Sequence, residues 1–299
     1  MAQAVTGAGA WLVQRRALRV LAIAVLFPFG LLSLLSGALV VMVTMLRGWR
    51  EAGADCVLAL LALTALVAAA GGSWPVLAGG AALSWGLALV LGATAARYRT
   101  LTLPLQLLVL LGTAAVLLAP LLLGDVVAFW APRLEALARA LGEAGIEVGE
   151  PAAFRLLAPL MTGLVAASAV LSSSIALLLG AWFAARTMGQ AFAPWFLQLR
   201  MGAVLGILAA AAGIAAGLEL GWLADALVLV LGTGFALQGL AVLHWQVSVR
   251  GWPGPLLVLV YLPLLLGPVA MALAWMAYAA IGFIDNAFGL RRGGTDMLK

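Results

Sequence analysis

The sequence predicts an all-α protein, a polytopic transmembrane helical bundle that forms a single membrane domain over residues 1–299. Three observations lead there. Hydrophobic residues make up 66% of the chain and charged residues 9%, against about 45–50% and about 25% in ordinary soluble domains. The 16 basic and 11 acidic residues gather in short connecting segments, so they cannot cover the exterior of a water-soluble fold of this length. The apolar runs between them recur along the whole chain, each near the roughly 20 residues that a helix needs to cross a hydrocarbon core about 30 Å thick. Hydrocarbon offers backbone amides no partner, so these runs are expected to be helices.

In order, the candidate spans are 11–28, 30–46, 54–71, 74–96, 102–123, 156–187, 202–219, 221–249 and 255–286. The first resembles a signal peptide, with Arg15, Arg16 and Arg19 ahead of an apolar run. Apolar segments continue through the chain, however, so it reads as a retained span. Residues 11–46 form either one long helix kinked at Pro28 or a hairpin turning at Pro28-Phe29-Gly30. The bias of Lys and Arg toward cytoplasmic loops decides for the hairpin. It places Arg15, Arg16, Arg19, Arg47, Arg50, Arg97, Arg99, Arg186, Arg200 and Arg250 on one side, whereas a single span mixes the signs. The last stretch is interrupted by Pro263 and Gly267-Pro268. A cytoplasmic C-terminus then requires a double pass or a re-entrant turn, giving nine or ten crossings, with eight as the lower count. Both termini are expected in the cytoplasm.

The one sizeable extracytoplasmic segment is 124–155. Trp130, Leu134, Leu137 and Leu141 share a helical face there, while Arg133, Glu135, Arg139 and Glu143 lie away from it. Pro132 suits an early helical position. This pattern predicts an amphipathic helix resting on the membrane surface, with a mobile lid as the functional alternative.

Gly202, Gly206, Gly213 and Gly217 form two GxxxG units, a stripe that lets helix backbones approach closely and is expected to serve packing within the bundle. Gly71-Gly72 before Ser73-Trp74-Pro75 reads as an interfacial turn with an aromatic anchor. Polar residues at membrane depth cost free energy and are the default functional candidates. They are Gln106, Thr162, Ser172, Ser173, Ser174, Asp225, Gln238, His244, Tyr261 and Asp285. The serines can return their hydroxyls to carbonyls one turn earlier. Gln106, Asp225, Gln238, His244 and Tyr261 are the candidates to line a ligand cavity.

Several chemistries are excluded. The single cysteine, Cys56, allows no internal disulfide and no thiolate zinc site. His244 has no second metal-binding side chain near it in sequence, so no metal site is expected. Residues 232–239, "GTGFALQG", lack the spacing and the preceding strand of a nucleotide loop, and no hydrolase or Walker pattern occurs. The basic residues sit in pairs at span ends rather than in a stripe with aromatics, which excludes nucleic acid. The expectation is a protein that is not an enzyme and uses no cofactor.

Near the C-terminus, "IGFIDNAFGLRRG" places Asp285 at the end of the last apolar run, followed by Arg291 and Arg292. An acid there can be held by either arginine, or by Arg200 from a neighbouring loop, as an interfacial ion pair. Gly282, Asp285, Phe288, Arg291 and Arg292 also carry a resemblance. With Leu46-Arg47-Gly48, "RYRTLTL" at Arg97 and Arg99, "LLLGAWFAAR", "FLQLRMG" through Arg200, and "GLAVLHW" at His244 with Tyr261 in the next span, they resemble the YybS-like family of bacterial polytopic membrane proteins, which carries a domain-of-unknown-function label. Gly289 departs from the pattern, standing where many members have a second acid. The early spans are distantly similar to the substrate-binding membrane subunits of energy-coupling-factor transporters. The resemblance implies the bacterial inner membrane and a helical bundle more than a reaction.

The functional expectation is an inner-membrane component that binds a small or lipid-like molecule and is associated with transport. The alternative is a non-catalytic scaffold for envelope or membrane-complex assembly. Its partners are the lipid bilayer and other membrane proteins.

Overall fold

The computed structural model of the chain describes residues 14–146 and 151–291. Every regular element among them is helical. The α-helices are α1 (Arg16–Leu26), α2 (Leu32–Arg47), α3 (Trp49–Ala69), α4 (Trp74–Tyr98), α5 (Thr102–Leu123), α6 (Val126–Glu143), α7 (Ala158–Thr187), α8 (Ala193–Leu197), α9 (Gly202–Gly217), α10 (Trp222–Val249), α11 (Leu257–Tyr261) and α12 (Pro268–Phe288). Three 3-10 turns supplement them, at Pro151–Leu157, Gly254–Leu256 and Leu262–Leu265.

Six of these helices are long and apolar enough to cross a membrane: Trp49–Ala69, Trp74–Tyr98, Thr102–Leu123, Ala153–Thr187 with its leading 3-10 turn, Trp222–Val249 and Pro268–Phe288. The chain is therefore an all-helical membrane protein. The spans expected over 11–28, 30–46 and 202–219 contain the shorter helices α1, α2 and α9. The stretch expected over 255–286 is divided in two, because Gly267 adopts φ +110° and Pro268 opens a new helix. The preceding piece, Gly254–Leu265, reaches only about 18 Å at helical rise.

The chain divides into two compact units. The first comprises residues 1–108 and 171–199. Its innermost helix is α2, whose Ala38, Val40, Val41 and Val43 are fully buried. Glycines let its neighbours come close. A Cβ on Gly92 of α4 would meet the Val41 backbone at 3.2 Å, and one on Gly180 of α7 would meet the Ala38 carbonyl at 2.5 Å. The Ser36 hydroxyl donates to the Ile23 carbonyl (2.7 Å), so α1 and α2 fold back on one another as the hairpin expected from the charges. Trp85 of α4 donates its indole N–H to Ser36 Oγ (3.0 Å) and packs edge-on against Phe27.

The second unit comprises residues 109–170 and 200–299. Its core is α10, buried along most of its length and crossed by α12. A Cβ on Gly239 would lie 1.9 Å from the Tyr278 carbonyl oxygen, and one on Gly282 the same distance from that of Phe235. The two backbones are therefore in direct contact. Helix α6 starts at Asp125, whose carboxylate accepts from the Val127 and Ala128 amides (2.9 and 3.0 Å), an N-cap that satisfies two otherwise unpaired donors. Its packed side differs from the expected stripe. Val126, Leu134 and Ala138 are buried, and Trp130 donates to Thr162 Oγ1 (2.9 Å), but Leu137 is half exposed. Glu135 pairs with Arg155.

Gly282→Ala is expected to force α12 off α10 and to lower the thermal unfolding midpoint in detergent by several degrees, since overpacking costs about 1–3 kcal/mol. Gly213→Ala, where the added carbon meets nothing within 4 Å, should leave the midpoint unchanged or raise it.

Candidate functional site

Helices α3 and α4 are joined by a short turn at 70–73, in which Gly71 takes φ +71°. They do not close fully against one another. An open groove of about 500 Å³ runs between them. Trp49, Arg50, Gly53, Val57 and Leu60 line it from α3, and Trp85, Gly86 and Leu89 from α4. From Arg50 to Leu60 these α3 positions are spaced three, four and three residues apart and so occupy one helical face. The walls are almost entirely apolar, and Arg50 is the charged side chain among them. A Cβ added to Gly53 or Gly86 would meet no atom within 4 Å.

The opposite face of α3 is fixed by buried charge. Asp55 is fully buried and Arg19 is 2% exposed. Arg19 donates through Nε to Asp55 Oδ2 (3.0 Å), and its Nη2 lies 2.8 Å from the same oxygen and 2.7 Å from Glu51 Oε1. Arg16 Nε donates to Asp55 Oδ1 (2.8 Å). Two arginines three residues apart on α1 thus meet two acids four residues apart on α3, both spacings lying on one helical face. The buried carboxylate is held in place by these charge-assisted hydrogen bonds.

The second unit carries a similar cluster at the end of α12. Asp285 is fully buried, and Arg291, 5% exposed, grips it through Nε to Oδ1 (3.2 Å) and Nη2 to Oδ2 (2.6 Å). The helix ends at Phe288 because Gly289 turns left-handed at φ +66°, returning its amide to the Asp285 carbonyl and swinging the chain back. A second acid at position 289 would be strained in that backbone. Gln238 of α10 donates to Asp285 Oδ2 (2.7 Å) and accepts from the Met201 amide (2.7 Å). The side chain of Asn286 exchanges two hydrogen bonds of 2.9 Å with the Gly202 backbone. The start of α9 is thereby tied to both α10 and α12.

Of the three arginines the sequence offered to Asp285, Arg291 pairs with it, Arg200 is exposed, and Arg292 lies outside the described residues. The five residues expected to line a cavity take no part in the groove. Gln238 is buried in the Asp285 cluster. His244 Nε2 and the Tyr261 hydroxyl are 2.7 Å apart, and with the bond from the Tyr278 hydroxyl to the Val260 carbonyl they dock α11. Asp225 is half-buried in the first turn of α10, and Gln106 belongs to the first unit. Of the glycine stripe, Gly202 and Gly206 adjoin Asn286, while Gly213 and Gly217 face open space. Ser172 and Ser173 line a polar crevice of about 50 Å³ with Ser33 and Ser84, room for one or two waters. Among the described residues no group of three His, Cys, Asp or Glu could hold a metal ion.

Sequence reasoning passed over Asp55, Glu51 and the groove. The matched spacing of two arginines and two acids at helix starts was the available signal for the first two. The groove had none, because its apolar lining resembles any lipid-facing surface.

Asp55→Asn is expected to destabilise the protein by about 3–5 kcal/mol in detergent unfolding, because it leaves the Arg19 guanidinium buried without its main counter-charge. Glu51→Gln removes a partner that is 38% exposed and should cost about 1 kcal/mol or less. No family model, curated protein or solved structure matches the chain.

Proposed function

We propose that this chain is a non-enzymatic, multi-pass component of a bacterial inner membrane that binds a small amphipathic, lipid-like molecule in the groove between α3 and α4, as one step of a transport-associated process. The observation that carries the reading is the groove itself, an apolar trough of about 500 Å³ ending at one arginine. Ligand sites are concave and mostly apolar, with a few polar groups that fix orientation. The two lining glycines add to this. Glycine inside a helix costs about 0.5–1 kcal/mol relative to alanine, and at Gly53 and Gly86 no protein atom needs the space it leaves.

In this reading the shorter helices α1, α2 and α9 also cross, giving nine passes, or ten if the piece 254–265 completes another. The ion pairs of Arg16 and Arg19 with α3 support the arrangement, since they put the start of α1 and the start of α3 on one side. That side is the cytoplasm, where the basic residues gather. Helix α6 lies on the outer membrane surface. Membership of the YybS-like family belongs to the same reading and rests on the ordered segments from Leu46-Arg47-Gly48 to Arg291. The alternative, a scaffold for membrane-complex assembly, draws on the open face of α9 at Gly213 and Gly217.

Mass spectrometry of lipids and small molecules co-purifying with the detergent-extracted protein tests the proposal. An amphiphile enriched over its share of the bulk membrane, and depleted in the Gly53→Leu, Gly86→Leu variant that fills the groove, is the expected result. Equal content in both proteins overturns it. Protein partners lost only on Gly213→Leu would favour the scaffold.

A further inference from the structure

The mouth of the groove has a charge imbalance that bears on the chemistry of its occupant. Helix α3 begins at Trp49 and α4 ends at Tyr98, so the open end of this hairpin carries Arg50 and Arg97, next to Arg47 at the end of α2 and Arg99 just past α4. All four are exposed, and none is in an ion pair among the described residues. The acids at this end, Glu51 and Asp55, are already committed to Arg16 and Arg19 on the other face of α3. Among the described residues no acid therefore compensates the positive charge at the groove mouth.

We infer that the groove holds one acyl chain of an anionic membrane lipid, with the headgroup phosphate on Arg50. This rests on the groove reading above and adds the class of headgroup. From Trp49 to Leu60 the trough follows α3 for about 16 Å at 1.5 Å per residue, a length suited to an extended hydrocarbon chain. Gly53 and Gly86 let that chain lie against backbone. At the mouth Arg50 sits 5.5 Å from the Trp49 ring, an arginine beside an aromatic at the end of a span, where headgroups lie. A guanidinium binds a phosphate through two parallel N–H bonds, and the first turn of α3 adds the positive end of its dipole. Cytoplasmic sidedness by itself requires arginines in the loop. It does not require a groove that opens on one of them, or a floor cleared of side chains. The lipid's second chain stays in the bilayer.

The test is native mass spectrometry of the full-length protein in detergent, titrated with phosphatidylglycerol and phosphatidylcholine of identical chains, and with glycerol 3-phosphate as a chainless phosphate. The unmodified protein is expected to retain phosphatidylglycerol about 10-fold better than phosphatidylcholine, because choline already neutralises the phosphate of the latter and weakens its charge-assisted contact with Arg50. Arg50→Gln should lower phosphatidylglycerol retention by more than phosphatidylcholine retention and so abolish the preference. Gly53→Leu, Gly86→Leu should weaken both lipids, and size-exclusion chromatography should show it folded, since both positions face the open groove and a Cβ at either meets no atom within 4 Å. If filling the groove weakens both lipids but Arg50→Gln leaves the preference intact, the headgroup assignment is wrong while the binding reading stands. If filling the groove changes neither lipid, both fall. If glycerol 3-phosphate displaces phosphatidylglycerol at equal concentration, the site takes a soluble anion and the lipid assignment is overturned.

Discussion

Hydrocarbon cannot hydrogen-bond, and the architecture of this protein follows from that. Any polar side chain carried into the bundle must find its partners within the protein, because the alternative costs several kcal/mol per group. Among the described residues no buried side-chain nitrogen or oxygen lacks one. The requirement is met at small scale by threonines that return their hydroxyls to carbonyls one turn back, as at Thr44, Thr113 and Thr233. It is met at large scale by two closed clusters, each built around a fully buried aspartate and an arginine. Such pairs add little net stability over apolar replacements. What they do well is specify one arrangement, since a shift in either helix would strand a charge.

Each cluster fixes something different. The Arg19–Asp55 pair joins helices 36 residues apart in sequence and holds the hairpin of α1 and α2 against the back of α3. The groove lies on the other face, so its α3 wall is set by a charge network that takes no part in the lining. The Asp285 cluster gathers the end of α12, the middle of α10 and the start of α9, and Arg291 closes it from the chain that turns back at Gly289. That turn explains why the basic residue six positions on can reach an acid in the last helical turn.

Glycine has two opposite uses here. At Gly239, Gly282, Gly92 and Gly180 the missing side chain is occupied by another backbone or a neighbouring side chain, and the helices lie closer than any Cβ would allow. At Gly53 and Gly86 the space is left open. The first use packs helices closely within each unit, the second leaves a trough between α3 and α4.

Membrane residence, helical structure, the N-terminal hairpin and an ion pair of Asp285 with one of three arginines were legible in the sequence. Composition and run length decide the first two without regard to tertiary detail, charge placement decides the third, and an acid close to a basic pair decides the fourth, while the choice of Arg291 belongs to the turn at Gly289. The meetings of Asp55 with Arg19, of Gln238 with Asp285, and of Asn286 with Gly202 were not legible. Neither was the difference between the packed glycines at 202 and 206 and the open ones at 213 and 217. The break of the last apolar stretch at Gly267-Pro268 was marked in the sequence, but not that the piece before it is short and the piece after it a full helix. Hydrophobicity reports how strongly each run avoids water, but in lipid every face of a helix is equally content. Only close packing between distant segments chooses which face turns inward, which polar groups meet, and where a gap remains.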